Sequence, residues 1–201
     1  MSALSMILLF FATESPGLAV DYALWKNASA NKDGTWTVVA EKEVRAQGLQ
    51  SLEPRDMATF CPAYTRLSTD DRIKVWVYWM SAIAKYETKN FDPKEDYPDK
   101  PEISRGLFQL SVGSASNKFY GCGPQTIKSL HDPKPNISCA VKTIGALLKH
   151  DGVIGTREPP APAKGAAKVF GTLWPGKTNH PRENIIRLTQ SFPLCRSAVV
   201  K

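Results

Sequence analysis

One glutamate closes a long apolar stretch, Trp76 to Glu87 (WVYWMSAIAKYE), and a Gly-aromatic-Gln turn follows within SRGLFQLS at 104–111. Glu87 lies seven residues after Met80 and four after Ile83. At 3.6 residues per turn its carboxyl shares a helix face with Trp76, Met80 and Ile83. A carboxyl held against apolar surface resists ionisation. Such a group is suited to act as a general acid at a glycosidic oxygen. The competing reading is a buried structural carboxylate paired with Arg or Lys. In the turn, Gly106 allows close backbone approach to a ligand, and Gln109 offers both donor and acceptor to a hydroxyl or N-acetyl group. Tyr86, Phe108 and Tyr120 could stack on sugar faces, or else pack in the core.

These residues need a framework. Ser68 to Asp71 reads as a capped helix start with acids at its positive end, so a helix is expected from about 70 to 86 or 87. It is apolar on most sides, as a buried central helix would be. Residues 88–103 carry three prolines and five acids (Asp92, Glu95, Asp96, Asp99, Glu102) and are expected to form a loop. Gly121 to Pro124 leads to a short helix ending near His131. Asn136 is expected to cap a helix over 137–150, in which Ile137, Ala140, Val141, Ile144 and Leu148 recur at helical spacing. Asp151-Gly152 ends it, and the Pro-rich stretch 155–165 reads as loop. Two further helices are expected over 164–173 and 182–192. Earlier in the chain, Asp33-Gly34 marks a turn and WTVVAEKEV (36–44) fits a strand or a helix. Strands have little support, so the fold class is mainly α, α+β at most.

The chain has 201 residues, 42% of them apolar and 22% charged, which fits one ordinary globular domain. A net charge of +7 suggests an acidic partner, whether nucleic acid, anionic wall polymer or membrane surface, or simply a solvated basic face. No aromatic-interleaved basic tract or RNA-binding signature is present, so nucleic acid is not expected. The apolar run Leu4 to Ala12 is too short to span a bilayer. It resembles a secretory leader over 1–19, with Gly17-Leu18-Ala19 as cleavage site, although no Lys or Arg precedes it. The four cysteines form no CxxC pair, and His131, His150 and His180 lack zinc-ligand spacing, so neither a metal nor a cofactor is expected. An even cysteine number favours an oxidising compartment. Of the three pairings, Cys122 with Cys139 and Cys61 with Cys195 is favoured, the alternative being four reduced cysteines. An exported monomer, periplasmic or extracellular and without stable membrane insertion, is the expectation.

Taken together, Tyr86-Glu87, Asn90-Phe91-Asp92-Pro93, Ser104-Arg105-Gly106-Leu107-Phe108-Gln109 and the Asn136-Ile137-Ser138-Cys139-Ala140 helix start resemble the lytic transglycosylase and goose-type lysozyme superfamily. That family's pattern is a helix ending in Glu, an Asn-Phe-Pro-like segment, then Ser-x-Gly-Leu-Met-Gln. The match runs over roughly 60–175 of a catalytic domain spanning 20–201. The resemblance implies a lysozyme-like fold around a buried central helix, a peptidoglycan glycan strand as substrate and Glu87 as catalytic acid. It makes Tyr86, Ser104, Gly106, Phe108, Gln109, Tyr120 and Phe170 the candidate substrate-contacting residues.

The sequence departs from that pattern in the length of 88–103, in Ser111 where goose-type lysozymes often carry aspartate, and in AAKVFG (166–171), which lacks the family's tyrosine. Two-carboxylate hydrolysis needs a second acid. Asp96, Asp99 and Glu102 are the candidates, on a segment expected to be a poor holder of geometry. A transglycosylase, whose substrate supplies the attacking oxygen, is therefore favoured over a hydrolytic lysozyme or chitosanase. A wall-binding protein is the non-enzymatic alternative. The acids near the turn also suggest a cationic, de-N-acetylated glycan.

Overall fold

The computed structural model describes residues 21–99, 101–157 and 160–196, so the expected leader at 1–19 lies outside the described residues. Among the described residues seven α-helices run in chain order: α1 (Thr35–Gln47), α2 (Met57–Phe60), α3 (Thr69–Glu87), α4 (Val112–Ala115), α5 (Ile127–Leu130), α6 (Pro133–Asp151) and α7 (Pro181–Ser191). Two small antiparallel pairs accompany them: β1 (Asp96–Asp99) with β2 (Glu102–Arg105), and β3 (Gly155–Thr156) with β4 (Lys164–Gly165). The protein is mainly α, as its sequence suggests, and the ambiguous stretch 36–44 is helical.

α3 is the axis of the core. Ser68 caps it by accepting from the Asp71 N–H, and Asp70 and Asp71 sit at the positive end of the helix dipole. Val75 to Ala84 is buried without a break, because α1 and α7 both pack on it. Trp76 and Trp79 meet edge to face at 5.5 Å, Phe60 meets Trp79 at 6.0 Å, and the Trp76 indole N–H donates to the Tyr64 hydroxyl at 2.8 Å. A large aromatic core of this kind gains from both area and ring geometry. The helix stops at Glu87, where Thr88 turns extended and its hydroxyl donates back to the Ala84 carbonyl.

Three expectations are corrected. The stretch 88–103 is not all loop: it contains the β1–β2 hairpin, with Asp96 opposite Arg105 and Pro98 opposite Ile103. Proline is tolerated there because a two-stranded ribbon has two outer edges, where a missing N–H breaks no ladder bond. The 164–173 helix is instead β4 followed by two 3-10 turns, Ala166–Lys168 and Gly171–Leu173. Such turns repeat an i, i+3 spacing that apolar periodicity cannot separate from a short α-helix. Finally, Asp132 rather than Asn136 caps α6, with Pro133 and Pro135 in the first turn. Asn136 is thereby freed to serve the site below.

Both favoured disulfides form: Cys61–Cys195 and Cys122–Cys139. They fit a chain that matures in an oxidising compartment. Among the described residues, no helix is long and apolar enough to cross a membrane.

The end of α6 carries a pH-dependent joint. Asp151 accepts from the Gly165 N–H at 2.6 Å, from His150 at 2.7 Å and from the Lys168 ammonium at 2.8 Å. Burial works to raise this carboxyl, but those hydrogen bonds outweigh it and hold it at about 2. The folded value lies below the unfolded one, about 3.9. Its contribution is therefore complete above about pH 4 and is lost as pH falls toward 2, and amounts to about 2 kcal/mol. Asp151→Asn should lower stability at pH 7 by about that amount and flatten the acid dependence, as read from urea midpoints across pH.

Candidate active site

Glu87 is the last residue of α3, half-buried, and its Oε1 accepts a 2.6 Å hydrogen bond from the Thr172 hydroxyl, eighty-five residues away in sequence. The carboxylate opens on a cleft of about 1030 Å³. It is lined by Leu24 and Asn27 to Ser29, by Lys85 to Phe91, and by a wall of Glu95 with Tyr97 at the start of the hairpin. Tyr97 is 63% exposed and faces a space in which a flat apolar sugar face could rest on its ring. Tyr86 lines the same cleft.

Directly after Glu87 the backbone makes a tight reversal. Asn90 and Phe91 both sit at left-handed φ, 54° and 57°. For phenylalanine this is a strained conformation. It is held by the Glu95 carboxylate, which accepts from the Lys89 N–H at 2.5 Å, and by the Asp92 N–H to the Lys89 carbonyl. The reversal brings the hairpin back across the end of the helix, so Glu95 faces the cleft that Glu87 enters.

The SRGLFQ turn lies beneath this wall and works as its foundation. The Gly106 N–H and the Gln109 side-chain amide both donate to the Glu95 carbonyl, at 3.0 and 3.1 Å. Arg105 and Leu110 exchange both main-chain hydrogen bonds at 3.0 Å. Asn136, fully buried, completes the joint: its Oδ1 accepts from the Phe108 N–H at 3.0 Å, and its Nδ2 donates to the carbonyls of Leu130 and Arg105 at 2.9 and 3.2 Å. Gly106, at φ 70°, makes the close approach expected of it, but toward protein. A Cβ there would lie 2.1 Å from the Leu130 carbonyl oxygen and 2.7 Å from Asn136 Nδ2.

The residues picked out from sequence are thus divided. Glu87 and Tyr86 line the cleft, and Gln109 supports its wall. Ser104 is nearly buried, opposite Tyr97 in the hairpin. Phe108 and Phe170 are core residues, 0% and 1% exposed, with rings 6.0 Å apart, so the packing alternative holds for Phe108, and Phe170, expected to contact substrate, is corrected to a core residue. Tyr120 lies outside the cleft lining, on a 3-10 turn packed on α6, where burial raises its phenol. Of the candidate second carboxylates, Asp96 is engaged by His131 at 2.6 Å and by Arg105 at 3.7 Å. Glu102 borders a separate hollow with Ile103 and Ile127, and the Asp99 side chain lies outside the described residues. Glu95, Tyr97 and Thr172 were missed. Glu95 carries a signal in hindsight, being the acid nearest the helix end apart from Asp92. Thr172 has none, since only the tertiary fold brings it to Glu87. Among the described residues no group of acids, histidines and cysteines could hold a metal ion.

No protein-family model and no curated relative matches the chain. Solved structures do. Wild-type Bd0314 DslA, a bdellovibrio protein, superposes with a TM-score of 0.77 at 30% identity over 87% of this chain and 97% of its own. The chain belongs to the DslA family. Two glutamate-to-glutamine mutants of DslA match over the same spans at TM-scores of 0.78 and 0.76, with 28% and 30% identity. The similarity to DslA extends over nearly the whole of that protein's chain.

Proposed function

We propose that this DslA-family chain is an exported enzyme that cleaves the β-1,4 glycosidic bond of peptidoglycan, with Glu87 as the proton donor. The observation that carries the reading is the placement of one carboxyl at the end of a buried helix, fixed by a hydroxyl and lining a cleft of about 1030 Å³ that an exposed tyrosine also lines. In this reading Glu87 protonates the leaving oxygen as the anomeric carbon gains oxocarbenium character. The two disulfides support export.

Glu95 supports the hydrolytic route. It faces the same cleft from a wall braced by Gln109 and Asn136, which gives a second carboxylate a rigid mount. It would activate water or stabilise the developing cation. That two glutamates of DslA have been exchanged for glutamine also favours a paired centre. The transglycosylase is the second reading. It is favoured by the 2.5 Å bond from the Lys89 N–H, which engages one Glu95 oxygen. Product mass separates the two, because an anhydro sugar end is lighter by one water. Glu95→Gln should lower hydrolysis by about 10²-fold or more, the usual share of an acid–base residue, and leave a one-carboxylate enzyme near wild-type rate.

The same carboxylate supports a substrate preference. Glu95 is met by a main-chain N–H at the cleft wall, and its negative charge is available to a free sugar amine. A de-N-acetylated glycan, carrying ammonium groups, is therefore the favoured form. Digestion of acetylated and deacetylated walls by the same preparation tests this, and equal rates on both would remove it.

A further inference from the structure

We propose that Thr172 is a positioning residue for Glu87, supplied by a braced strap and serving both protonation states of the carboxyl. The inference rests on the function proposed above and deepens it.

The strap is the pair of 3-10 turns at 166–168 and 171–173. Leu173 anchors it in the core, fully buried. Beside it the Trp174 indole N–H donates to the Ala167 carbonyl at 2.7 Å, and the Arg157 guanidinium stacks on the Trp174 ring at 3.6 Å. The Leu173 and Trp174 N–H groups donate back to Phe170 and Gly171, at 3.0 and 3.1 Å. A hydroxyl carried on such a segment has little freedom to leave its partner.

At 2.6 Å its bond to Glu87 Oε1 is in the short range of charge-assisted contacts. A hydroxyl differs from an N–H group in being able to donate or accept. It donates to the carboxylate and can accept from the acid, so one side-chain rotamer suits the carboxyl before and after it gives up its proton. Donation favours the ionised form. The other charged side chains on the cleft around Glu87 are Lys85 and Lys89, two residues away on either side, and Glu95 just before the hairpin. Together these three carry a net charge of +1, and the Thr172 hydroxyl adds a directional contact at Oε1.

Thr172→Val keeps the shape and removes the hydroxyl, and Thr172→Ser keeps the hydroxyl. Two readouts apply to the full-length chain: the carbon-13 titration of the Glu87 side-chain carboxyl, and kcat and KM on wall glycan across pH. In Thr172→Val the Glu87 midpoint should rise by about one pH unit, and kcat should fall about tenfold with KM little changed. Thr172→Ser should restore both, to within about threefold in kcat. An unmoved midpoint in Thr172→Val overturns the proposal. So does a serine variant as impaired as the valine one, which would assign the effect to the methyl group. If the wild-type chain cuts no glycan, the proposed function fails, while the carboxyl titration still decides the role of Thr172.

Discussion

Glu87→Gln should abolish nearly all wall cleavage, by about 10³-fold or more, while the protein stays folded and still binds glycan. Glutamine has the same shape and can accept the Thr172 hydroxyl bond, so the α3 terminus has no reason to rearrange. What is lost is the transferable proton, and a positioned acid commonly contributes 10²–10⁴-fold. Release of reducing or anhydro ends measures the loss. A thermal melt within a few degrees of wild type, with retained glycan binding, separates it from unfolding. A glutamine variant that cuts at even a tenth of the wild-type rate would place the acid elsewhere, and a binding protein with no cleavage to lose would leave both forms equally inert.

Gly106→Ala should strongly destabilise the fold that carries the cleft. The new Cβ would overlap the Leu130 carbonyl at 2.1 Å and crowd the Asn136 amide at 2.7 Å, and the residue would also sit at φ 70°. The crowded atoms already form the joint that holds the SRGLFQ turn, so relief on one side breaks a buried hydrogen bond on the other. Backbone strain of about 1 kcal/mol and one or two broken buried hydrogen bonds give a loss on the order of 4 kcal/mol. Gly34→Ala is the control. Its φ is nearly the same, 66°, and nothing lies within 4 Å of the added carbon, so it should lose only about 1 kcal/mol. Urea unfolding of the two variants measures the difference, and equal losses would mean that the Leu130–Asn136 joint is softer than its geometry implies.

The parts of this molecule legible in its sequence are those written in local chemistry. α3 could be read because a serine cap, two acids and a long apolar run agree on one helix, and because Glu87 falls at its end. The cysteines could be paired because one combination closes a local loop and the other ties the C-terminal tail to the core. The hairpin was hidden by Pro98 and Pro101, whose usual meaning is loop; the cost of the first disappears at an outer edge, and the second falls in the turn between the strands. Asn136 was read as a cap because asparagine before an apolar run normally is one. Two prolines ahead of it had already moved the helix start to Asp132. Phe108 and Phe170 could not be assigned to core or cleft from spacing, since both uses demand the same residue type. Thr172 shows the limit most plainly: a threonine beside a glycine has no local mark, and its meaning exists only once a distant strap folds over the end of a helix.

The Cys61–Cys195 bond joins partners 134 residues apart. No oxidant can close it until every intervening residue has been synthesised and the last short helical turn has reached α2. Until then α2 and the C-terminal turn are joined by packing alone, and the covalent bolt can be thrown only late in synthesis. A chain kept among cellular reductants would carry the same cleft in an unbolted frame, since neither disulfide includes a residue that lines it.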